Sequence, residues 1–131
     1  MKKLFFIAMF ILIGSSMNAQ RGNTQSNQGL CKVAINDVSK MTGFGYFVGY
    51  SVEFKNNSKK TVDGIYWNVY YYNNDDELIQ QDKSSFNSTN LIDPIASGFT
   101  KKIVRSKKIK GASKVFVKIT KVHYSDGTSC N

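Results

Sequence analysis

Apolar and polar residues alternate along residues 46–74. Apolar side chains recur at every second position over residues 48–54 and, after an Asn- and Lys-rich turn, over residues 65–71. Successive side chains of a β-strand point to opposite faces, so this alternation is typical of a strand with one buried and one exposed face. The stretch therefore predicts two long strands joined by a short polar turn, with one slip of phase near residues 63 and 64. We expect Trp67, the only tryptophan of the chain, at the centre of the core.

Shorter segments with similar residue types precede and follow this stretch. They predict strands over residues 30–39, 77–81, 99–105 and 115–124, loops over 40–45 and 106–114, and a loop or irregular edge strand over 82–90. Turn residues recur about every 8–15 positions, and no useful apolar stripe with helical spacing follows residue 19. This organisation predicts an antiparallel β-sandwich or a small β-barrel.

The first 19 residues have the pattern of a signal peptide. Lys2 and Lys3 precede an apolar run at residues 4–14, and small and polar residues follow up to Ala19. Such a run matches the apolar part of a secretory signal, roughly 7–15 residues, and is shorter than the roughly 20 that span a bilayer. We predict cleavage after Ala19, a flexible leader over residues 20–29 and one domain over residues 30–131. The mature chain would have no transmembrane segment and would be exported, either to the periplasm or out of the cell.

Cys31 and Cys130 are the two cysteines, and both lie in the part predicted to be exported. An even number of cysteines in an oxidising compartment favours a disulfide, which would tie the first strand to the end of the chain. Two unpaired thiols are the alternative.

Positive charge is concentrated near the C-terminus. The net charge of +9 falls to +7 without Lys2 and Lys3, and nine basic residues lie within residues 101–121, where there is no acidic residue. Such a segment attracts acidic polysaccharide, lipid headgroups or nucleic acid, although export makes nucleic acid an unlikely partner. The candidate binding residues are Lys107, Lys108 and Lys110. The alternative is that these lysines keep an edge strand from pairing with other molecules.

The second candidate surface is a row of tyrosines. If the residues in phase with Trp67 face the core, then Tyr66, Tyr70 and Tyr72 share the opposite face. Tyrosines offer flat apolar area with a polar tip, which suits a sugar or a protein partner. The alternatives are that another strand covers them or that they simply favour strand structure.

No catalytic or metal-binding pattern was found in the sequence. His123 is the only histidine, and nothing marks a nucleophile turn or a third partner for a hydrolytic triad. The acidic residues 75–77 lack the spaced ligands of a calcium loop, so a solvated turn is favoured. We therefore predict a protein that is not an enzyme and binds no metal or cofactor. A hydrolase with a site built across loops has no positive support.

Residues 52–79, VEFKNNSKKTVDGIYWNVYYYNNDDELI, followed by residues 91–99, LIDPIASGF, resemble the FxLYD-type family of exported bacterial immunoglobulin-like domains. Asn57-Ser58, Tyr72-Asn73 and the turn from Pro94 to Gly98 stand in place of the family's Asn-Ser turn, Tyr-Asp strand end and Pro-Gly turn. Asn73 departs from the family's aspartate, and three residues separate the proline from the glycine. The resemblance implies a small antiparallel immunoglobulin-like β-sandwich of about seven strands and transfers no catalytic residue.

These observations predict an exported, non-enzymatic binding or accessory module of the cell envelope. Its partner would be a protein or an anionic polysaccharide. The alternative is a polyanion- or glycan-binding protein that uses the basic segment at residues 101–121.

Overall fold

A computed structural model describes residues 26–131 of the protein, and the predicted signal peptide and the first part of the leader lie outside the described residues. The described chain forms seven strands. They are β1 (Val33–Gly43), β2 (Tyr46–Asn56), β3 (Val62–Tyr72), β4 (Leu78–Asn87), β5 (Thr100–Ile109), β6 (Lys114–Tyr124) and β7 (Ser129–Cys130).

The strands form two antiparallel sheets, one with the order β1-β2-β5 and the other with the order β4-β3-β6-β7. Constant-type immunoglobulin sandwiches likewise place the first, second and fifth strands in one sheet and the third, sixth and seventh in the other, but their fourth strand belongs to the first sheet, whereas β4 here pairs with β3. The predicted all-β sandwich is therefore confirmed. Residues 26–131 include no helix that is long and apolar enough to cross a membrane.

The core lies where the inner faces of β2 and β3 meet. Trp67 is 1% exposed, and its ring lies 5.0 Å from the ring of Phe54. The other inward residues of β3, Ile65 and Val69, are fully buried, which confirms the predicted alternation. The pairing of β3 with β6 shifts register between Val62 and Gly64, so the predicted slip of phase is also confirmed.

The inward phase of β2 differs from the prediction at its start. Phe47 is buried in place of Val48, because the pairing of β2 with β5 shifts register between Phe47 and Gly49. A Cβ atom at Gly49 would lie 2.3 Å from the carbonyl oxygen of Arg105. A glycine is therefore required where these two strands approach each other.

Two predicted loops are largely strand. β1 continues to Gly43 and reverses at Phe44 and Gly45, which both have positive φ, so the loop predicted at residues 40–45 is wrong except at the turn itself. β5 continues to Ile109, within the basic loop predicted at residues 106–114. Hydrogen bonding to β2 holds both extensions, although their own residues have weak strand patterns. Residues 82–87 belong to β4, an edge strand, which was one of the two alternatives for that segment.

The end of the leader and the C-terminus close one side of the sandwich. Cys31 and Cys130 form the predicted disulfide, which joins the residues before β1 in one sheet to β7 in the other. Gln28 also bonds to β6 through its backbone, since its N–H donates to the oxygen of Val117 at 3.0 Å and its oxygen accepts from the N–H of Ile119 at 2.9 Å. This part of the leader is therefore held against the four-stranded sheet.

Candidate functional site

The fold divides the basic segment between the two sheets. β5 belongs to the three-stranded sheet and β6 to the four-stranded sheet, so residues 101–121 do not form one continuous patch. Lys107 and Lys108 lie on β5 and Lys110 follows directly after it, whereas Lys118 lies on the outer face of β6, beside Asn68.

The three candidate tyrosines lie on the outer face of β3, but two of them are covered. Tyr70 and Tyr72 are 9% and 6% exposed, and the ring of Phe116 packs edge-on against Tyr72 at 5.6 Å. Tyr66 is half-buried, with the ammonium group of Lys121 5.6 Å from its ring centre. The expected exposure is therefore wrong for Tyr70 and Tyr72, because alternation predicts which face a residue occupies but not what covers that face. Their role in binding stays a prediction.

The free edges of the two sheets meet where β5 lies opposite β4. We call this side of the sandwich the β4–β5 seam, made of residues 78–87 and 100–109. Three basic side chains of β5 reach across it to β4, at positions that share one phase of the strand. They are Lys101, 5.1 Å from the ring centre of Phe86, Arg105, which donates from Nη2 to the oxygen of Ser85 at 2.7 Å, and Lys107, 3.4 Å from Asp82. Side chains rather than backbone hydrogen bonds therefore close the seam.

A pocket of about 270 Å³ opens in the seam. Its lining residues come from both sheets and are mostly polar or charged: Tyr50, Tyr71, Asp82, Lys83, Ser84, Arg105, Ser106 and Lys107. Pockets for drug-sized ligands measure roughly 300–1,000 Å³, so this one suits a small polar group.

The phenol of Tyr50 lines the pocket on the side of the core and is hydrogen-bonded to Trp67. The indole Nε1–H of Trp67 donates to the hydroxyl oxygen of Tyr50 at 3.1 Å, and the guanidinium carbon of Arg105 lies 5.8 Å from the Trp67 ring centre. Burial raises the pKa of Tyr50, so this phenol is neutral at ordinary pH. The Tyr50 hydroxyl accepts from Trp67 and also hydrogen bonds with Ser84, and these two bonds fix its position at the pocket wall.

Asp82 is the one acidic residue of the pocket lining. Its carboxylate accepts from Nε2 of Gln80 at 3.1 Å and pairs with Lys107. Burial is the main cause that raises the pKa of Tyr71 above its ordinary value, and the negative charge of Asp82 contributes to the same shift. Asp82 therefore forms hydrogen bonds with Gln80 and Tyr71 and shares the pocket with the cations Arg105 and Lys107.

The seam is the most positively charged side among the described strands that form sheet edges. β4 and β5 together carry six basic residues and one acidic residue, whereas β1, the edge strand at the other end of the three-stranded sheet, carries one of each. Lys102 and Lys108 are exposed beside the pocket and extend this positive field outward. The arrangement can attract and bind an anion.

The other candidate groups lie outside the pocket. His123 pairs through Nδ1 with Asp63 at the register shift of β3, and Asp76 pairs with Lys114 in the turn after β3. Neither pair contributes to the lining of the seam pocket. Within residues 26–131, no cluster of three or more His, Cys, Asp or Glu side chains is placed to hold a metal ion.

Sequence analysis did not identify Tyr50, Tyr71, Asp82 or Arg105 as candidate site residues. One signal was present in β5, where Lys101, Arg105 and Lys107 share the phase of the buried Ile103. A basic residue in the inward phase of an edge strand must find a partner on the other sheet, and β4 supplies it.

Comparison with protein-family models, curated proteins and solved structures found no match to this chain. The resemblance to FxLYD-type domains therefore stays a prediction, and the functional argument depends on the geometry of the seam.

Proposed function

We propose that this protein is an exported, non-enzymatic binding module of the cell envelope whose ligand is an anionic polymer, with acidic polysaccharide as the favoured class. The observation that carries the proposal is the charge of the seam, where two adjoining edge strands carry six basic residues and one acidic residue. An excess of one sign on one side of a small domain steers oppositely charged polymers to it.

The placement of the cations supports a role in ligand binding, in addition to the protection of a strand edge. Lysines that only protect an edge need to point into solvent. Here Lys102 and Lys108 do so, while Arg105 is partly buried and Lys107, although exposed, pairs with Asp82, and both line a pocket. Cations that face solvent attract a polymer at long range, and cations with fixed partners give a defined place for one of its groups.

Export is supported by two independent features. The first 19 residues have the pattern of a secretory signal, and the two cysteines form a disulfide, which persists in oxidising compartments outside the cytosol. Acidic polysaccharides are accessible to a protein in those compartments.

Chromatography of the mature chain on a heparin-like resin tests the proposal. We expect retention at low salt and release at moderate salt, because salt screens the attraction of exposed charges. A triple variant with Lys107→Gln, Lys108→Gln and Lys110→Gln should elute at clearly lower salt. A control triple with Lys32→Gln, Lys40→Gln and Lys59→Gln has the same charge change away from the seam and should elute closer to the unmodified protein. Failure of the unmodified protein to bind the resin at low salt would remove the proposal.

A protein partner is the second candidate function. It is favoured by exposed apolar side chains in the loop before β5, where Leu91 and Phe99 are 96% and 64% exposed. The protein should then capture a partner from a cell-envelope extract, and the capture should persist at high salt. The double variant Leu91→Ser and Phe99→Ser should no longer capture it. Capture that is instead abolished by salt and by the seam triple variant would favour the anionic ligand.

A further inference from the structure

We propose that the seam pocket binds the carboxylate of a single uronic acid unit, through the free N–H groups of Arg105, the ammonium group of Lys107 and the hydroxyl of Tyr50. The inference rests on the proposed function and deepens it, since it assigns one acidic sugar unit of the polymer to one pocket.

The guanidinium of Arg105 is held in place and still has donors to spare. Its Nε, Nη1 and Nη2 donate to the hydroxyl of Ser84, the oxygen of Val104 and the oxygen of Ser85, at 3.4, 3.2 and 2.7 Å. A guanidinium has five N–H groups, so one remains on each terminal nitrogen. Two parallel N–H groups on a plane match the two oxygens of a carboxylate.

The stacking of Arg105 on Trp67 adds to this rigidity. The guanidinium carbon lies 5.8 Å from the ring centre of a tryptophan that is itself fully buried. A donor that is already fixed loses little conformational freedom when a ligand arrives, so more of the interaction energy is retained as affinity.

The charges of the pocket leave room for one more anion. Arg105 and Lys107 supply two positive charges to the lining and Asp82 one negative charge, whereas the exposed Lys83 lies beside Asn68 on the opposite face of β4. A bound carboxylate would neutralise the remaining positive charge. The buried phenols of Tyr50 and Tyr71 stay neutral and therefore add no repulsion.

The position of the single tryptophan provides the measurement. Trp67 donates to Tyr50 and lies beneath Arg105, so a group that binds to either residue changes the surroundings of the indole. Because the chain has no other tryptophan, fluorescence excited selectively at the indole, beyond the absorption of the seven tyrosines, reports on the surroundings of Trp67 alone.

The experiment titrates the mature chain with glucuronate and follows Trp67 fluorescence. We expect a saturable change with glucuronate and none with glucose at equal concentration. N-acetylglutamate, which carries carboxylates without a sugar ring, and inorganic sulfate should act more weakly than glucuronate. An equal response to sulfate or to N-acetylglutamate would overturn the assignment to a uronic acid unit, and no response to glucuronate would overturn the pocket altogether.

Adjacent lysines of β5 provide a matched control. Lys107→Gln should weaken glucuronate binding about tenfold, as expected for the loss of one charge-assisted hydrogen bond. Lys108→Gln makes the same charge change one position away, outside the pocket lining, and should change affinity less than about twofold. Tyr50→Phe keeps the ring and removes the donor, so it should also weaken binding. Equal effects of Lys107→Gln and Lys108→Gln would contradict the pocket.

The two proposals fail separately. Retention on the heparin-like resin without any response to glucuronate overturns the pocket and leaves the polymer-binding function intact. A saturable response to glucuronate without retention on the resin overturns polymer binding and supports the pocket as a site for a small acidic sugar.

Discussion

The two sides on which the sheets meet are closed in different ways. On one side, the disulfide between Cys31 and Cys130 and the backbone bonds of Gln28 to β6 join the sheets and cover an edge. On the other side, the β4–β5 seam is closed by charged side chains around a pocket. The first closure consists of one covalent bond and backbone hydrogen bonds. The second depends on side chains, which can carry both stability and recognition.

If the seam binds a ligand as proposed, this difference places the main covalent stabilisation and the recognition on separate sides of the domain. The disulfide limits the freedom of the unfolded chain and adds no charge to the surface. The seam can therefore keep an excess of positive charge that would otherwise weaken the compact state through self-repulsion. Loss of the disulfide and loss of the side-chain contacts in the seam should therefore change different properties of the protein.

The largest expected effect is on the disulfide side. Replacing both Cys31 and Cys130 by Ser opens a loop with a sequence separation of 99 residues, for which chain entropy gives an upper value near ~4.7 kcal/mol. We expect a loss of about 2–4 kcal/mol in the free energy of unfolding, measured by urea denaturation. Glucuronate affinity, extrapolated to the folded state, should be unchanged. A loss of affinity that exceeds the loss of folded protein would show that the two sides are not independent.

A smaller effect is expected for Arg105→Met. The substitution removes the charged hydrogen bond to Ser85 and the stacking on Trp67 while keeping an apolar side chain of similar length. We expect a loss of about 1–2 kcal/mol in the free energy of unfolding, with loss of glucuronate binding. Lys102→Met is the control, since Lys102 is exposed on the same strand, and it should change stability by less than about 0.5 kcal/mol. Equal losses for the two variants would mean that Arg105 does not hold the seam together.

The smallest expected effect is a pH dependence from Tyr71. Burial raises its pKa above the ordinary value of about 10, so the folded protein holds this proton more tightly than the unfolded chain. Its contribution to stability is fully present below about pH 10 and decreases as the pH rises above that value. Urea unfolding at increasing pH should therefore show a steeper alkaline decline for the unmodified protein than for Tyr71→Phe.

At neutral pH, Tyr71→Phe removes the hydrogen bond between this phenol and Asp82 and should cost about 0.5–1.5 kcal/mol in the free energy of unfolding. Tyr46→Phe is the control, because Tyr46 is more than half exposed. Its alkaline decline should follow that of the unmodified protein. The same alkaline decline for Tyr71→Phe and the unmodified protein would indicate that the phenol of Tyr71 is not protected in the seam.

Sequence patterning predicted the parts of the fold that depend on local alternation. The inward face around Trp67, the slip near residue 63 and the all-β class followed from residue types and spacing, and the disulfide followed from an even number of cysteines in a chain predicted to be exported. Each of these features is determined by neighbours in the sequence or by a single pair of residues.

The pocket could not be predicted in this way, because it depends on how separate strands are placed. Asp82 and Lys107 are 25 positions apart, and they meet only because β4 and β5 end up as facing edges of different sheets. The sequence also presented residues 101–121 as one basic patch, although the fold distributes them over two sheets. The exposure of Tyr70 and Tyr72 failed as a prediction for a related reason, since Phe116 of β6, which packs against Tyr72, follows more than 40 residues later.

Because β7 is short, the end of the leader covers part of the β6 edge and thereby limits association between protein molecules. β7 pairs only with Val122 and His123, so without Gln28 the backbone groups of Val117 and Ile119 would lie open along the edge of β6. Open strand edges recruit strands from other chains and promote self-association. Proteolytic trimming that removes residues up to Gln28 would therefore expose an aggregation-prone edge while leaving Cys31, the disulfide and the seam intact.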